Sequence, residues 1–409
     1  MQSKDVKNTN AKGNFDNDTS TKPNETKSAT STHVVTADSV QAEEVPTIPL
    51  GSLETISTLQ PEVSVHSVAS TRSVNTPTSL VVQPSEYRRS TSEWLQVWWD
   101  GFRPAYLLLP LVPVCVGSVL AWLQTVSTKT PFGRFHTTHF IGMLLAILLI
   151  QIGANLVNDY YDYLRGIDTS NALGPGGLIQ QGLSKPTRVL SLGLGALAFG
   201  AVIGIIVAAA GGPLVYLLGA IGLLCAYFYS ATSRSLSALT LGELVGFFLF
   251  GPLITLGAYL VMAQTGHIDR AILSYSIPLG LLATAAIHAN NMRDIEDDTH
   301  ANRRTLASIL GIRWSRWLYV AFVLIPYIII IGLAIPRGAP HFLLLTVWTL
   351  PILVVALTGV IRTDSPPGFH LVMRQTLKLE TYFALFLIIG LLITAFLPVL
   401  PNLPAHLIP

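Results

Sequence analysis

The stretch THFIGMLLAILLIQIGANLVNDYYDYLRGID, residues 138–168, decides the fold. From Phe140 to Asn158 it carries no charged side chain, and then Asp159, Asp162, Arg165 and Asp168 follow within a few turns. About 20 apolar residues in a helix cross a hydrocarbon core of roughly 30 Å, so the run reads as a membrane span that ends in an acidic cluster. Eight further segments of similar character lie near 104–123, 187–210, 213–230, 243–262, 272–292, 317–335, 341–361 and 380–399. Gly and Pro recur inside them, which membrane helices tolerate because neighbouring helices re-satisfy freed backbone groups. A barrel would instead show ten-residue alternation. The expectation is an all-α integral membrane protein, a nine-transmembrane-helix bundle over residues 104–400.

The flanks differ in kind. Residues 1–88 are rich in Ser, Thr, Asn, Lys and Glu, and 18 of the 48 charged residues precede position 91. Such a segment cannot bury enough apolar surface to offset its ordering entropy, and it is expected to be a disordered polar tail, either an unselected extension or a docking arm. Its opening residues lack the apolar core of a signal peptide. Ser90 and Glu93 then have capping-box spacing, and Trp94, Leu95, Trp98, Trp99 and Phe102 follow at helical intervals. Residues 89–103 are therefore expected to form an amphipathic helix in the membrane interface, with an aromatic substrate wall as the alternative. Cys115 and Cys225 lie in apolar runs, form no CxxC pair and read as small core residues.

Lys and Arg near the span ends set orientation. If the chain enters its first span from the cytoplasm, 15 such residues fall on the cytoplasmic side and only Lys129, Arg134, Arg270 and Arg337 on the other. The expectation is a multi-pass protein of the cell membrane with a cytoplasmic N-terminus and an outside C-terminus. The net charge of +2 adds nothing to this reading and gives no sign of a nucleic-acid partner.

Of the 13 acidic residues after position 90, seven sit in two short segments. One is the end of the opening stretch. The other is NNMRDIEDD, residues 290–298, which closes the sixth expected span. Both spans are even-numbered, so both clusters should emerge on the cytoplasmic face. Asn158 and Asp162 are four apart, as are Asn290, Asp294 and Asp298, so each set stacks on one helix face. Like charges at that spacing repel, and ionisable groups at membrane depth are costly. Hard divalent cations with oxygen ligands would compensate: Mg²⁺ takes one or two carboxylates and completes its octahedron with water and substrate phosphate. Arg165, Lys185, Arg293, Arg303 and Arg304 beside the acids would suit a diphosphate. The plain alternative is a pair of solvated helix ends salt-bridged to those arginines, and two matched clusters on one face weigh against it.

These residues resemble the UbiA superfamily of membrane prenyltransferases, most closely its 1,4-dihydroxy-2-naphthoate polyprenyltransferase branch. Asn155, Asn158, Asp159, Tyr160, Asp162, Gly166 and Asp168 match the first signature of that branch, N-x-x-N-D-Y-x-D-x-x-x-G-x-D. Asn290, Asn291, Arg293, Asp294 and Asp298, with Arg303 to Ala307, match the second, N-N-x-R-D-x-x-x-D followed by R-[KR]-T-L-A. Arg103-Pro104, Tyr229-Ser230 and Leu241-Gly242-Glu243 add to the likeness, which covers residues 95 to 400. The chain departs from the pattern at Gly174–Gly182, where many relatives carry a basic residue, and at Ala231–Arg234, which lacks the usual proline.

The resemblance implies a UbiA-type bundle with a cytoplasmic cap, polyprenyl diphosphate and an aromatic acid as substrates, and Mg²⁺ held by Asn158, Asp162, Asp294 and Asp298. It gives Arg165, Lys185, Arg304, Arg103 and Tyr229 to the diphosphate, with Asn155, Asp159, Asp168, Asn290 and Asn291 supporting them from behind. The product would belong to menaquinone (vitamin K₂) biosynthesis, the acceptor losing carbon dioxide as it is prenylated. Enzymes of the 4-hydroxybenzoate, homogentisate, chlorophyll and haem O types are the alternatives within the superfamily. A cation-coupled transporter is the rival from another class, since intramembrane acids also mark ion pathways. A CDP-alcohol phosphotransferase ranks lower because its D-G-x-x-A-R opening is missing. His288 reads as a hydrogen-bonded packing residue with proton removal as the alternative, and Glu243 as either a loop anchor or a support to the ligands.

Overall fold

The computed structural model describes residues 90–128, 135–166, 177–232, 235–264, 268, 271–336 and 340–397. The expected tail at 1–88, Asp168, the residues after 397 and all four cations assigned to the outer side (Lys129, Arg134, Arg270, Arg337) lie outside the described residues.

The described chain is almost wholly helical. A short helix α1 (Thr91–Gly101) starts at the expected capping box: Ser90 Oγ accepts from the Glu93 amide, and Glu93 Oε2 accepts from the Ser90 amide. The chain then turns through Arg103, at φ 56°, into α2 (Pro104–Thr128), whose Pro stands where its missing N–H costs nothing. Next come α3 (Thr137–Leu164), α4 (Pro186–Ala208) and α5 (Pro213–Phe228). The following span is one continuous run of α6 (Gly242–Phe248), a π-helical turn (Leu249–Leu253) around Pro252, and α7 (Ile254–Ala263). Helix α8 (Ala271–Arg293) leads into the short α9 (Ile295–His300). A long α10 (Leu306–Ala334), a 3₁₀ stretch (His341–Thr349) running into α11 (Leu350–Arg362), and α12 (Pro366–Phe396) complete the bundle.

Among the described residues, eight helical stretches are long and apolar enough to cross a membrane. The segment expected near 213–230 is the shorter α5, with 16 residues. At 1.5 Å per residue that is about 24 Å: it starts at Pro213 as expected, and Tyr229 stands at its C-cap. Two other spans begin earlier than expected. Thr305 and Ser308 form a capping box that starts α10 at Leu306, with a break at Gly311 (φ 70°). Ser365 caps α12, which then carries Arg374 and Lys378 as helix rather than loop. Gly166 and Gly182 both adopt φ 66°, as their reading as turn residues required.

Helix α8 is the centre of the bundle, packed against α10 and α12, while α3 runs along α4 and α2 along α7. Leu279, Leu282, Ala285 and Ala289 are buried, whereas Phe199, Ile205 and Ile206 of α4 are exposed, as on a helix bordering lipid. Trp98 of α1 and Phe102 at its C-cap pack over Leu178 and Ile179 of the loop after α3, and Leu95 and Trp99 face outward.

One close approach fixes α8 against the π-turn. A Cβ on Gly280 would lie 2.6 Å from the Phe247 carbonyl oxygen, and one on Gly251 would lie 2.8 Å from the Gly280 Cα. Gly280→Val should therefore destabilise the protein by about 1–3 kcal/mol, the usual cost of overpacking, seen as a lower Tm in detergent. Gly332→Ala, with no atom within 4 Å of the new Cβ, should leave Tm unchanged or slightly raised.

Candidate active site

The C-terminal ends of α3 and α8 open on one cavity of about 240 Å³, far larger than the roughly 30 Å³ share of a single water. Asn155, Asn158 and Asp162 line it from α3, and Asn290, Asn291, Arg293 and Asp294 from α8. Arg103, Tyr106, Tyr229 and Arg303 complete its polar end, and Leu218, Leu223, Leu253 and Ile254 are among the apolar walls further in. The two acidic clusters, 132 residues apart in the numbering from Asp162 to Asp294, thus share one site.

On α3, Asn155 donates to the Phe102 carbonyl at 2.9 Å and accepts from Gln151, tying the helix to the turn after α1. Asn158 donates to Asp162 Oδ2 at 2.5 Å and accepts from the Ser230 hydroxyl. Asp162 Oδ1 accepts from Arg165 at 3.3 Å. The other nitrogen of Arg165 binds the Ser230 and Thr232 carbonyls, so this arginine also holds the loop after α5. Burial lowers the pKa of Arg165 from its ordinary value, with Asp162 opposing the shift. Asp159 accepts from the Gly177 amide at 2.6 Å and lies 4.0 Å from Arg103, pinning the 177–184 loop over the end of α3.

On the α8 side, Arg293 grips Asp294 through two hydrogen bonds of 2.6 and 2.7 Å. Asn290 donates to Asp294 at 3.2 Å and accepts from the Tyr106 hydroxyl at 2.6 Å. Asn291 donates to Glu243 at 2.9 Å.

Three expected site residues are placed differently. Asp298 is 1% exposed and does not line the cavity; its two oxygens are taken by Arg303 at 3.2 Å and the Thr305 hydroxyl at 3.0 Å. Lys185 is exposed at the N-cap of α4, and Arg304 is exposed as well. The cation that faces inward is Arg303. Its neighbour Arg304 pairs by backbone with the 239–240 segment: the Thr240 amide donates to the Arg304 carbonyl at 2.9 Å. In extended chain successive side chains point to opposite sides, so Arg303 goes in and Arg304 goes out. Burial alone would lower the pKa of Arg303, but Asp298 above all, then Asp162, Tyr229 and Asp294, hold it above its ordinary value. The guanidinium is therefore coupled to both acidic clusters at once.

Tyr106 and Ser230 were not among the expected site residues. Tyr106 sits three positions after Arg103, one helical turn on, which is the signal that could have found it. Cys115 and Cys225 are unpaired, and Cys225 lines the cavity rather than the core. His288 is fully buried and hydrogen-bonded, as read from the sequence.

The polar end carries three guanidinium groups against two carboxylates, and the Nε atoms of Arg103 and Arg303 are enclosed without a partner among the described residues. Such a lining suits an anionic ligand with a long apolar part. Among the described residues no three His, Cys, Asp or Glu side chains cluster closely enough to hold a metal unaided.

A sequence model of the UbiA prenyltransferase family matches residues 110–368. The 1,4-dihydroxy-2-naphthoate octaprenyltransferase of Bacillus subtilis is 32% identical over 301 residues, covering 74% of this chain and 94% of that protein. The UbiA prenyltransferase domain-containing protein 1 homolog of Drosophila melanogaster is 31% identical over 303 residues, covering 72% and 79%. The solved structure of a UbiA homolog from Archaeoglobus fulgidus bound to DMAPP and Mg²⁺ superposes with a TM-score of 0.50 at 16% identity, over 72% of this chain and 99% of that one, which shows a shared fold. Two acidic helix ends meeting at one cavity in a membrane bundle, with the family pattern matched over most of that bundle, make this chain a member of the UbiA prenyltransferase family.

Proposed function

We propose that the protein transfers a polyprenyl group from its diphosphate to 1,4-dihydroxy-2-naphthoate, with Mg²⁺, in menaquinone biosynthesis. The observation that carries this reading is the shared cavity: Asn158 and Asp162 face it from α3 and Asp294 from α8, between Arg103, Arg293 and Arg303. The naphthoate acceptor is supported by the bacterial relatives that carry that name. The loop charge asymmetry supports a cavity that opens to the cytoplasm, with the C-terminus outside the cell membrane.

The donor set suits Mg²⁺. Two carboxylates and an amide oxygen are hard ligands, too few to fill an octahedron, which leaves positions for water and phosphate. When bound, the cation would neutralise the charge that builds on the departing diphosphate. Asn158, Asp162 and Asp294 would hold it, and Asp298 would act one step back by fixing Arg303. Arg303 and Arg103, whose Nε atoms have no partner among the described residues, would bind the diphosphate oxygens. Arg165 is already tied to the Ser230 and Thr232 carbonyls, so its part is to hold the cap as much as the ligand. The allylic C–O bond breaks with its electron pair leaving on the diphosphate, the ring carbon attacks, and the carboxyl group departs as carbon dioxide. Apolar walls keep out the water that would otherwise capture the allylic carbon.

Asp162→Ala and Asp294→Ala should each lower transfer by about 100-fold or more, with Tm in detergent within a few degrees of the parent. EDTA should stop the reaction and added Mg²⁺ restore it. Arg303→Ala should raise KM for the polyprenyl diphosphate roughly 10- to 100-fold, the value of one charge-assisted hydrogen bond, whereas Arg304→Ala should change it less than about twofold. The reading as a whole is tested by supplying purified protein with one polyprenyl diphosphate and a panel of aromatic acids. Mass spectrometry should find the decarboxylated prenyl-naphthalenediol; a prenylated 4-hydroxybenzoate, or no product, would contradict it.

A further inference from the structure

Beside the diphosphate end of the cavity lies a buried polar set that the transfer chemistry leaves unused. Glu243, at the start of α6, is buried, and its Oε1 lies 3.0 Å from Nδ1 of His288 and accepts from Nδ2 of Asn291 at 2.9 Å. His288 is itself held: Nε2 faces the Ser315 carbonyl on α10 at 3.2 Å, and the ring stands edge-on to Phe322 with centroids 5.8 Å apart. Three helices therefore lock one carboxylate oxygen in place.

The consequence falls on Asn291. An ionised carboxylate accepts and cannot donate, so the amide N–H must face Glu243 and the amide oxygen must face the other way. Asn291 lines the cavity, and among the described residues no group donates to its Oδ1. Neighbouring Asn290 differs, since both ends of its amide are engaged, by Tyr106 and by Asp294. At Asn291 the cavity wall thus presents a fixed, neutral acceptor among guanidinium donors.

A polyprenyl diphosphate offers that oxygen nothing, being a polyanion joined to a hydrocarbon. A hydroxylated aromatic acid offers an O–H. The clamp is also a poor device for stability alone. Among the described residues Glu243 Oε2 is enclosed with no partner, and a half-satisfied buried carboxylate costs the fold.

We propose that Asn291 Oδ1 accepts a hydrogen bond from a ring hydroxyl of the aromatic acceptor, and that Glu243 and His288 are positioning residues that fix the amide in this orientation. The inference rests on the prenyl-transfer reading above and names how the second substrate is recognised.

The test uses the full-length protein in detergent with 1,4-dihydroxy-2-naphthoate as acceptor, and 1-hydroxy-2-naphthoate and 4-hydroxy-2-naphthoate as inhibitors that each lack one hydroxyl. In the parent protein one of the two should bind roughly tenfold more weakly than the other, the loss of a single hydrogen bond. Asn291→Ala should erase that preference and leave KM for the polyprenyl diphosphate unchanged. Glu243→Ala should do the same, while Glu243→Gln, which keeps an accepting oxygen for both neighbours, should retain most of the preference. Equal binding of the two inhibitors by the parent protein overturns the inference without any variant having to fold. A variant that shifts the Mg²⁺ requirement instead of the inhibitor preference overturns it as well. If the parent protein prenylates none of the hydroxynaphthoates, the transfer reading itself fails and the inference with it.

Discussion

Carboxylates at the ends of membrane-spanning helices demand cations, and the packing around them follows from meeting that demand. Arg103 lies by Asp159, Arg165 engages Asp162, Arg293 engages Asp294 and Arg303 engages Asp298, so these four carboxylates each have a guanidinium beside them. Arg303 does more than pair. It borders the cavity, and its charge is held by Asp162 from one cluster together with Asp298 and Asp294 from the other. Such a balance is costly to assemble without a ligand to share it. It is well suited to a pyrophosphate group that arrives with its own counter-ions.

Local chain geometry then fixes the loops beside that charge. Asp159 fastens the 177–184 loop through the Gly177 amide, Leu178 and Ile179 of that loop receive Trp98 of α1 and Phe102 at its cap, and Arg165 fastens the loop after α5 through two carbonyls. The 239–240 segment pairs with Arg304 and turns Arg303 inward. Among the described residues, those that sequence reading assigned to ligand binding therefore divide into some that face the cavity, some that hold its walls, and Lys185, which is exposed at the start of α4. The same carboxylate-and-arginine vocabulary serves the first two groups, which is why the motif alone could not separate them.

How much was legible beforehand follows from the range of each signal. Helical periodicity is local, so the stacking of Asn158 on Asp162 and of Asn290 on Asp294 could be read directly, and the parity of the spans brought the two clusters to one end. Lengths were harder. Tyr229 leaves α5 early, and α12 runs through Arg374 and Lys378, because caps at Ser365 and turns at Tyr229 override an apolarity count. The choice between Arg303 and Arg304 depended on a backbone pairing across some 60 residues, with no trace in the local pattern. The meeting of Glu243 with His288 and Asn291 was equally invisible, since it needs α6 and α8 side by side; the three residues were noticed singly but not as a set.

The central claim is that α3 and α8 hold one diphosphate between them. Its most direct test is an experimental structure of the full chain with Mg²⁺ and a non-reactive polyprenyl thiodiphosphate. The account predicts metal density between Asp162 and Asp294 and phosphate oxygens on Arg303, with the prenyl chain running along Leu218, Leu223 and Leu253. Phosphate density elsewhere, or contacts to only one of the two helices, would contradict it.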